Sequence, residues 1–161
     1  MSKMRGMYKP FEEWKWRDYS GKKSLNVGEF IAKYNDRHFF IGTDSQNYSS
    51  QKTTVFTTAL IAYELGSGGC VAMHKDKVPY IEHLRQRLLL EVMRSVETAW
   101  FLDKKVPSDQ IIGIHVDVNQ SLQFKSGKYK DELVGFVAGQ GFRCLVKPDA
   151  WASSKVADSR C

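Results

Sequence analysis

The sequence predicts an α/β domain with a mixed five-stranded sheet, its first three strands antiparallel, and helices on both faces. Three observations carry that expectation. Apolar, β-branched runs follow one another at HFFIGTDSQ, QKTTVFTTALIAYEL and CVAMHKDKV. One long helical pattern then begins near Pro79. A further strand-like run, IIGIHVDVN, resumes directly after it, which suggests a parallel crossover.

The elements follow in order. FEEWKWRDYSGKKSLNVGEFIAKYNDRH is aromatic and mixed in charge, with a helix expected at about 25–35 and Ser24 or Asn26 as its cap. HFFIGTDSQ reads as a buried strand ending at a polar turn, joined by a hairpin to the second strand. Gly66, Ser67, Gly68 and Gly69 lie between two strand-like runs rather than before a helix, so they read as a β-turn and not as a phosphate loop. Pro79 suits a first helical turn, where its missing N–H would lack a partner anyway. In PYIEHLRQRLLLEVMRSVETAWFLDKK, Leu84, Leu88, Glu91, Ser95 and Leu102 fall on one face, while Glu82 and Glu97 project away as solvated charges. IIGIHVDVN puts His115 and Asp117 on one side and Ile114, Val116 and Val118 on the other. KSGKYKDELVGFVAGQGF supplies a second helix ended by glycine and FRCLVKP a fifth strand. ASSKVADSR gives a short last helix capped by Ser153 or Ser154.

The chain of 161 residues suits a single domain over residues 1–161, with 1–36 as an extension packed on it. Its 42% hydrophobic and 26% charged content is ordinary for a soluble globular protein, and no apolar run is long enough for a membrane span. MSKMRGMYKP is basic but has no apolar stretch or cleavage site, so a cytoplasmic location is expected. Cys70, Cys144 and Cys161 lack metal-ligand spacing and read as reduced, structural thiols. A net charge of +6 and a pI of about 9.2 favour a polyanionic partner, above all nucleic acid.

Four acids carry the chemical signal: Asp44 in FFIGTDSQ, Glu91 in RLLLEVMRSVE, Asp117 in IIGIHVDVN and Asp158 in SSKVADSR. A carboxylate beside apolar structure is costly unless something pairs with it, and four in such places suggest a shared cation. With no histidine or cysteine cluster among them, Mg²⁺ or Mn²⁺ suits the set better than Zn²⁺. Any one of these acids taken alone is more simply a turn former or a solvated charge.

The order of elements, with acids on the first strand, the first long helix, the fourth strand and the last helix, resembles the ribonuclease H-like superfamily. GTDSQ, RLLLE, IHVDVN and KPDAWASSKVAD resemble more closely its small bacterial YkuK-type family, over roughly residues 11 to 161. The resemblance implies a two-metal-ion nuclease acting on RNA or DNA, with Asp44, Glu91, Asp117 and Asp158 as catalytic metal ligands. Asp44 would bridge two Mg²⁺ or Mn²⁺ ions, with Asp117 and Asp158 on one and Glu91 on the other. Asp149, at the turn after Pro148, competes with Asp158 for the last place. Two metals roughly 3.5–4 Å apart can activate water, neutralise the phosphoryl group and stabilise the leaving oxygen. The chain departs from ribonuclease H proper in its N-terminal extension and in having no evident basic-protrusion helix. The rival reading is a non-catalytic nucleic-acid-binding or scaffold domain on the same fold.

Several other residues have two readings. His115 is a proton shuttle or, more simply, a hydrogen-bonded strand histidine. Ser45, Gln46 and Asn119 either orient water and phosphate or serve turn chemistry. Lys125, Lys128 and Lys130 around Tyr129, with Arg143, Lys147, Lys22 and Lys23, either track a phosphate backbone or are solvated. Trp14, Trp16 and Tyr19 read as packing anchors rather than as a platform for bases.

Overall fold

The computed structural model describes residues 9–118 and 128–146. After a 3-10 turn (Phe11–Glu13) come β1 (Trp16–Asp18), β2 (Ser24–Leu25) and α1 (Val27–Lys33). Three long strands follow, β3 (His38–Tyr48), β4 (Thr53–Glu64) and β5 (Gly68–Pro79), and then α2 (Leu84–Asp103). A second 3-10 turn (Ser108–Gln110) leads to β6 (Ile111–Val116), α3 (Lys130–Gly139) and β7 (Cys144–Val146).

The sheet is mixed, as expected, but among the described residues it has seven strands in the order β2-β1-β5-β4-β3-β6-β7 rather than five. The two additional strands come from the N-terminal segment and are too short, at three and two residues, to show a period-2 pattern. They form because β5 is an outer strand of the meander, and β1 covers part of its free edge through Trp16↔His74, Arg17↔Met73 and Asp18↔Ala72. The β3–β4–β5 meander is antiparallel throughout. Its second turn uses Gly66 (φ 86°) and Gly68 (φ 79°), left-handed positions where glycine carries no steric penalty. After α2 the chain returns as β6, parallel to β3, with β7 parallel to β6. Gly113 is required where β6 meets the segment entering β7, since a Cβ there would lie 2.8 Å from the Arg143 carbonyl oxygen.

Two boundaries differ from expectation. β3 does not turn at DSQ but continues to Tyr48, because β4 is long enough to pair with it down to Tyr48↔Thr53. Asp44 is therefore a residue within a strand. Likewise Pro79 ends β5 instead of opening the helix. Val78 is held in register with Thr54, and proline fits the end of a strand whose outer side is unpaired there. α2 begins at Leu84, while α1 is capped as expected by Asn26, whose side chain accepts the Glu29 N–H at 3.0 Å.

All three described helices pack on one face of the sheet. Phe30 and Ile31 of α1, Leu88, Val92, Val96 and Leu102 of α2, and Leu133 and Val137 of α3 share one core with Phe39, Ile41, Leu60, Ile114 and Val116. The opposite face carries a smaller cluster around Phe40 and Ile61. The expected last helix, with Asp158, lies outside the described residues, as does Asp149. Trp14 and Trp16 are buried as expected, Trp14 stacking on His74 at 4.5 Å, but Tyr19 is exposed. Cys144 is a free, half-buried thiol that burial pushes up to about 11. Cys70 is disulfide-bonded, which corrects the expectation of three reduced thiols. Among the described residues no helix is long and apolar enough to cross a membrane.

Candidate functional site

Strand alternation on β3 sorts its polar run onto two faces. Thr43 and Ser45 point toward α2: the Thr43 hydroxyl lies 2.8 Å from Ser95 Oγ, and Ser45 Oγ donates to Glu91 Oε2. Asp44 and Gln46 point to the other face and line a groove there with His115 and Asp117. Asp44 Oδ1 also accepts the Ser45 N–H at 2.9 Å. One dipeptide thus reaches both sides of the sheet at the same level.

The parallel pairing of β3 with β6 ends at Gly42↔His115. Asp44 and Asp117 each lie two residues past that pair, at the point where the two strands part. Both are exposed. Glu91 approaches from α2 and is buried at 6% exposure, in the apolar stripe where the helical period places it. Burial pushes its carboxyl up to about 8; the Ser45 hydrogen bond opposes this, the charges of Asp44 and Asp117 add to it, and Arg87 one turn earlier offsets part of it. Asp44, Glu91 and Asp117 are therefore electrostatically coupled, although they come from three elements distant in sequence.

Among the described residues, no group of three or more His, Cys, Asp or Glu side chains is placed to hold a metal ion. By chemistry alone, the candidate donors are of the kind that a hard divalent cation takes. They are carboxylates, and the buried one is held against ionisation first by burial and then by the charges of Asp44 and Asp117, which a cation would offset.

His115 lines the groove, its ring edge-on to Phe40 at 5.2 Å. Among the described residues neither ring nitrogen has a hydrogen-bond partner, so His115 is not the hydrogen-bonded structural histidine expected of a strand. Burial pushes its pKa down to about 4, and the ring is neutral near pH 7. Tyr129 packs against the main core rather than presenting a free ring, with Lys128 Nζ 5.4 Å from its centroid. Arg143, Lys22 and Lys23 are exposed, while Asn119, Lys125 and Lys147 lie outside the described residues. Glu97, read from the sequence as a solvated charge, is half-buried.

Sequence reasoning missed Arg94. It is 1% exposed on α2, forks onto Asp76 of β5 at 2.8 and 3.1 Å, donates to the Leu90 carbonyl at 3.0 Å, and lies 3.9 Å over the Phe56 ring. The available signal was that Arg94 lies close to Glu91 on the helical wheel while Asp76 alternates inward with His74 and Val78 on β5.

An antiparallel three-strand meander, a helical crossover to a parallel fourth strand and acids at the parting of that strand from the first make up a mixed α/β architecture. A family model described as Ribonuclease H-like matches residues 24–161, and the chain belongs to that family. No curated protein and no solved structure matches it. Residues 9–23, with Trp14 and Trp16, precede the matched stretch.

Proposed function

We propose that this protein is a divalent-metal-dependent nuclease that hydrolyses phosphodiester bonds of RNA or DNA, using Asp44, Glu91, Asp117 and Asp158 with Mg²⁺ or Mn²⁺. The observation that carries the reading is the coupling of buried Glu91 to Asp44 and Asp117 at the parting of β3 and β6. A ribonuclease H-like family membership and a net charge of +6 support it.

Bound divalent cations would supply charge neutralisation at the phosphate and acidify water. The chain's own contribution is placement. Asp44 is fixed by the β3 ladder, with Thr57 as its partner on β4. Asp117 follows the last residue of β6. Ser45 fixes the rotamer of Glu91 by donating to Oε2, so a long, flexible side chain is already oriented before any ligand arrives. His115 contributes its neutral ring to the groove wall, with both nitrogens buried and without a hydrogen-bond partner among the described residues. Asp158 is assigned as the fourth acid on the sequence pattern KVAD.

The test is cleavage of labelled single-stranded, duplex, hybrid and branched nucleic acids in Mg²⁺ or Mn²⁺, with Asp44→Asn and Asp117→Asn in parallel. Replacing partners that merely orient a metal ligand typically costs 10- to 100-fold, so these variants are expected to lose more than about 100-fold in turnover while remaining folded. Wild-type turnover in either variant would defeat the assignment. Metal-independent binding without cleavage would select a non-catalytic nucleic-acid-binding domain instead.

A further inference from the structure

The face of the sheet that carries Asp44 also carries a cluster of cations that the proposed chemistry does not use. Across the strands, Asp44 pairs with Thr57 and Thr57 with Lys75; the next row outward runs Gln46, Val55, Lys77. Beyond β5, Arg17 of β1 is registered with Met73, two positions from Lys75 on the same face. Lys75, Lys77 and Arg17 are all exposed, whereas the intervening His74 and Val78 are buried on the helix side and Asp76 is turned inward to Arg94. From Thr53 to Tyr63 on β4 and from Gly69 to Lys77 on β5, no carboxylate points to this open face.

Asp44, Asp117 and one of the cations, Lys75, line a single groove together with Gln46, Tyr48 and Thr57, and Lys77 and Arg17 lie beyond its wall on the same face. Strands lie about 4.8 Å apart, so Lys75 stands roughly 10 Å from Asp44, within reach of a chain lying across the meander. Tyr48, 38% exposed at the groove's outer end, presents an aromatic ring whose hydroxyl is 3.3 Å from Gln46 Oε1. A cationic track with an accessible ring beside it suits a polyanion that also carries flat apolar groups, and a single nucleic-acid strand has both.

We infer that the open face of β3, β4 and β5 is the path of a single nucleic-acid strand, with its phosphates on Lys75, Lys77 and Arg17 and a base against Tyr48. This rests on the nuclease reading only for what happens at Asp44; the path itself is a statement about binding.

Binding is therefore measured in the full chain carrying Asp44→Asn, with a fluorescent single-stranded oligonucleotide over a range of salt in Mg²⁺. Adding Lys75→Glu and Lys77→Glu is expected to raise Kd by at least roughly 10-fold and to lower the salt slope by about 1.4, roughly 0.7 for each phosphate of a single strand that is no longer neutralised. Adding Tyr48→Ala is expected to raise Kd roughly 10-fold with the salt slope unchanged. Thermal melts confirm that each variant is folded. An unchanged Kd and slope after the double charge reversal would overturn the path. So would equal affinity for a duplex, or competition by polyglutamate as effective as by the oligonucleotide. Wild-type chain that never cleaves but shows the lysine effect would remove the nuclease reading and leave the path standing. Cleavage lost in Asp44→Asn with no lysine effect would do the reverse.

Discussion

The two faces of the sheet treat polar groups in opposite ways. On the helix side they are internal and partnered: Thr43 with Ser95, Ser45 with Glu91, Asp76 with Arg94. On the other side, within the same stretch of β3, Asp44, Gln46 and Tyr48 are exposed and face a groove. A charge on the helix side is desolvated and must be neutralised by its neighbours. On the open side, water and ligands can do so. In the proposed reading, the helix side fixes positions and the open side meets substrate. Glu91 is the exception, a buried acid held on the fixed side and coupled to the charges of the open one.

The strongest way to break this division is to remove a partner on the fixed side. Arg94 is enclosed by Asp76, the Leu90 carbonyl and the Phe56 ring. Removing one member of a buried pair strands the other, which typically costs about 3–5 kcal/mol. Arg94→Ala is therefore expected to lower unfolding free energy by about that amount in urea titration. A loss below about 1 kcal/mol would mean that water reaches Asp76 and the helix side is less sealed than its burial indicates.

The placement of Glu91 and Asp117 was legible in sequence because it obeys simple periods. Helical spacing puts Glu91 in an apolar stripe, and strand alternation separates Asp117 from Val116 and Val118. The mixed sheet followed from a strand after a long helix. What stayed hidden depended on pairing between distant segments. β1 and β2 are too short to signal themselves and exist because β5 leaves an edge free. The length of β3 was set by its partner β4, so a polar run that looks like a turn became strand. That in turn decided the direction of Ser45, since a side chain in a turn has no assigned face and one in a strand does. The pairing of Arg94 with Asp76 was missed for the same reason: periodicity turns each residue inward, but only α2 laid across β5 brings the two together.

Ser45 offers a finer test of where the fixed side ends. Its hydroxyl both orients Glu91 and favours the charged carboxylate. With Ser45→Ala the Glu91 carboxyl is expected to titrate higher still, and the affinity for Mn²⁺ to fall by about 10- to 100-fold, the usual effect of losing a group that orients a ligand. Isothermal titration with Mn²⁺ reads the affinity without reference to turnover. Cysteine at this position is expected to restore less than threonine, because a thiol donates weakly. Unchanged Mn²⁺ affinity in Ser45→Ala would detach Glu91 from the site and return it to the core.

The last test is a pH dependence of stability. The Glu91 carboxyl sits at about 8 in the folded chain, above its ordinary value of 4.5, so the folded state holds this proton more tightly than the unfolded state. The associated stability is fully present below about 4.5 and is lost as pH rises through about 8. Glu91→Gln cannot lose a proton. The melting temperature of the original chain, relative to that of Glu91→Gln, is thus expected to fall between those limits and level off above them. Mg²⁺ should reverse the trend, since it binds the carboxylate form and stabilises whatever it binds, so its effect on melting should be larger at pH 8 than at pH 6. Parallel melting curves for the two chains across that range would show that Glu91 is ionised well below 8. The buried acid would then already be neutralised by the protein itself, and the coupling to Asp44 and Asp117 would no longer call for a cation.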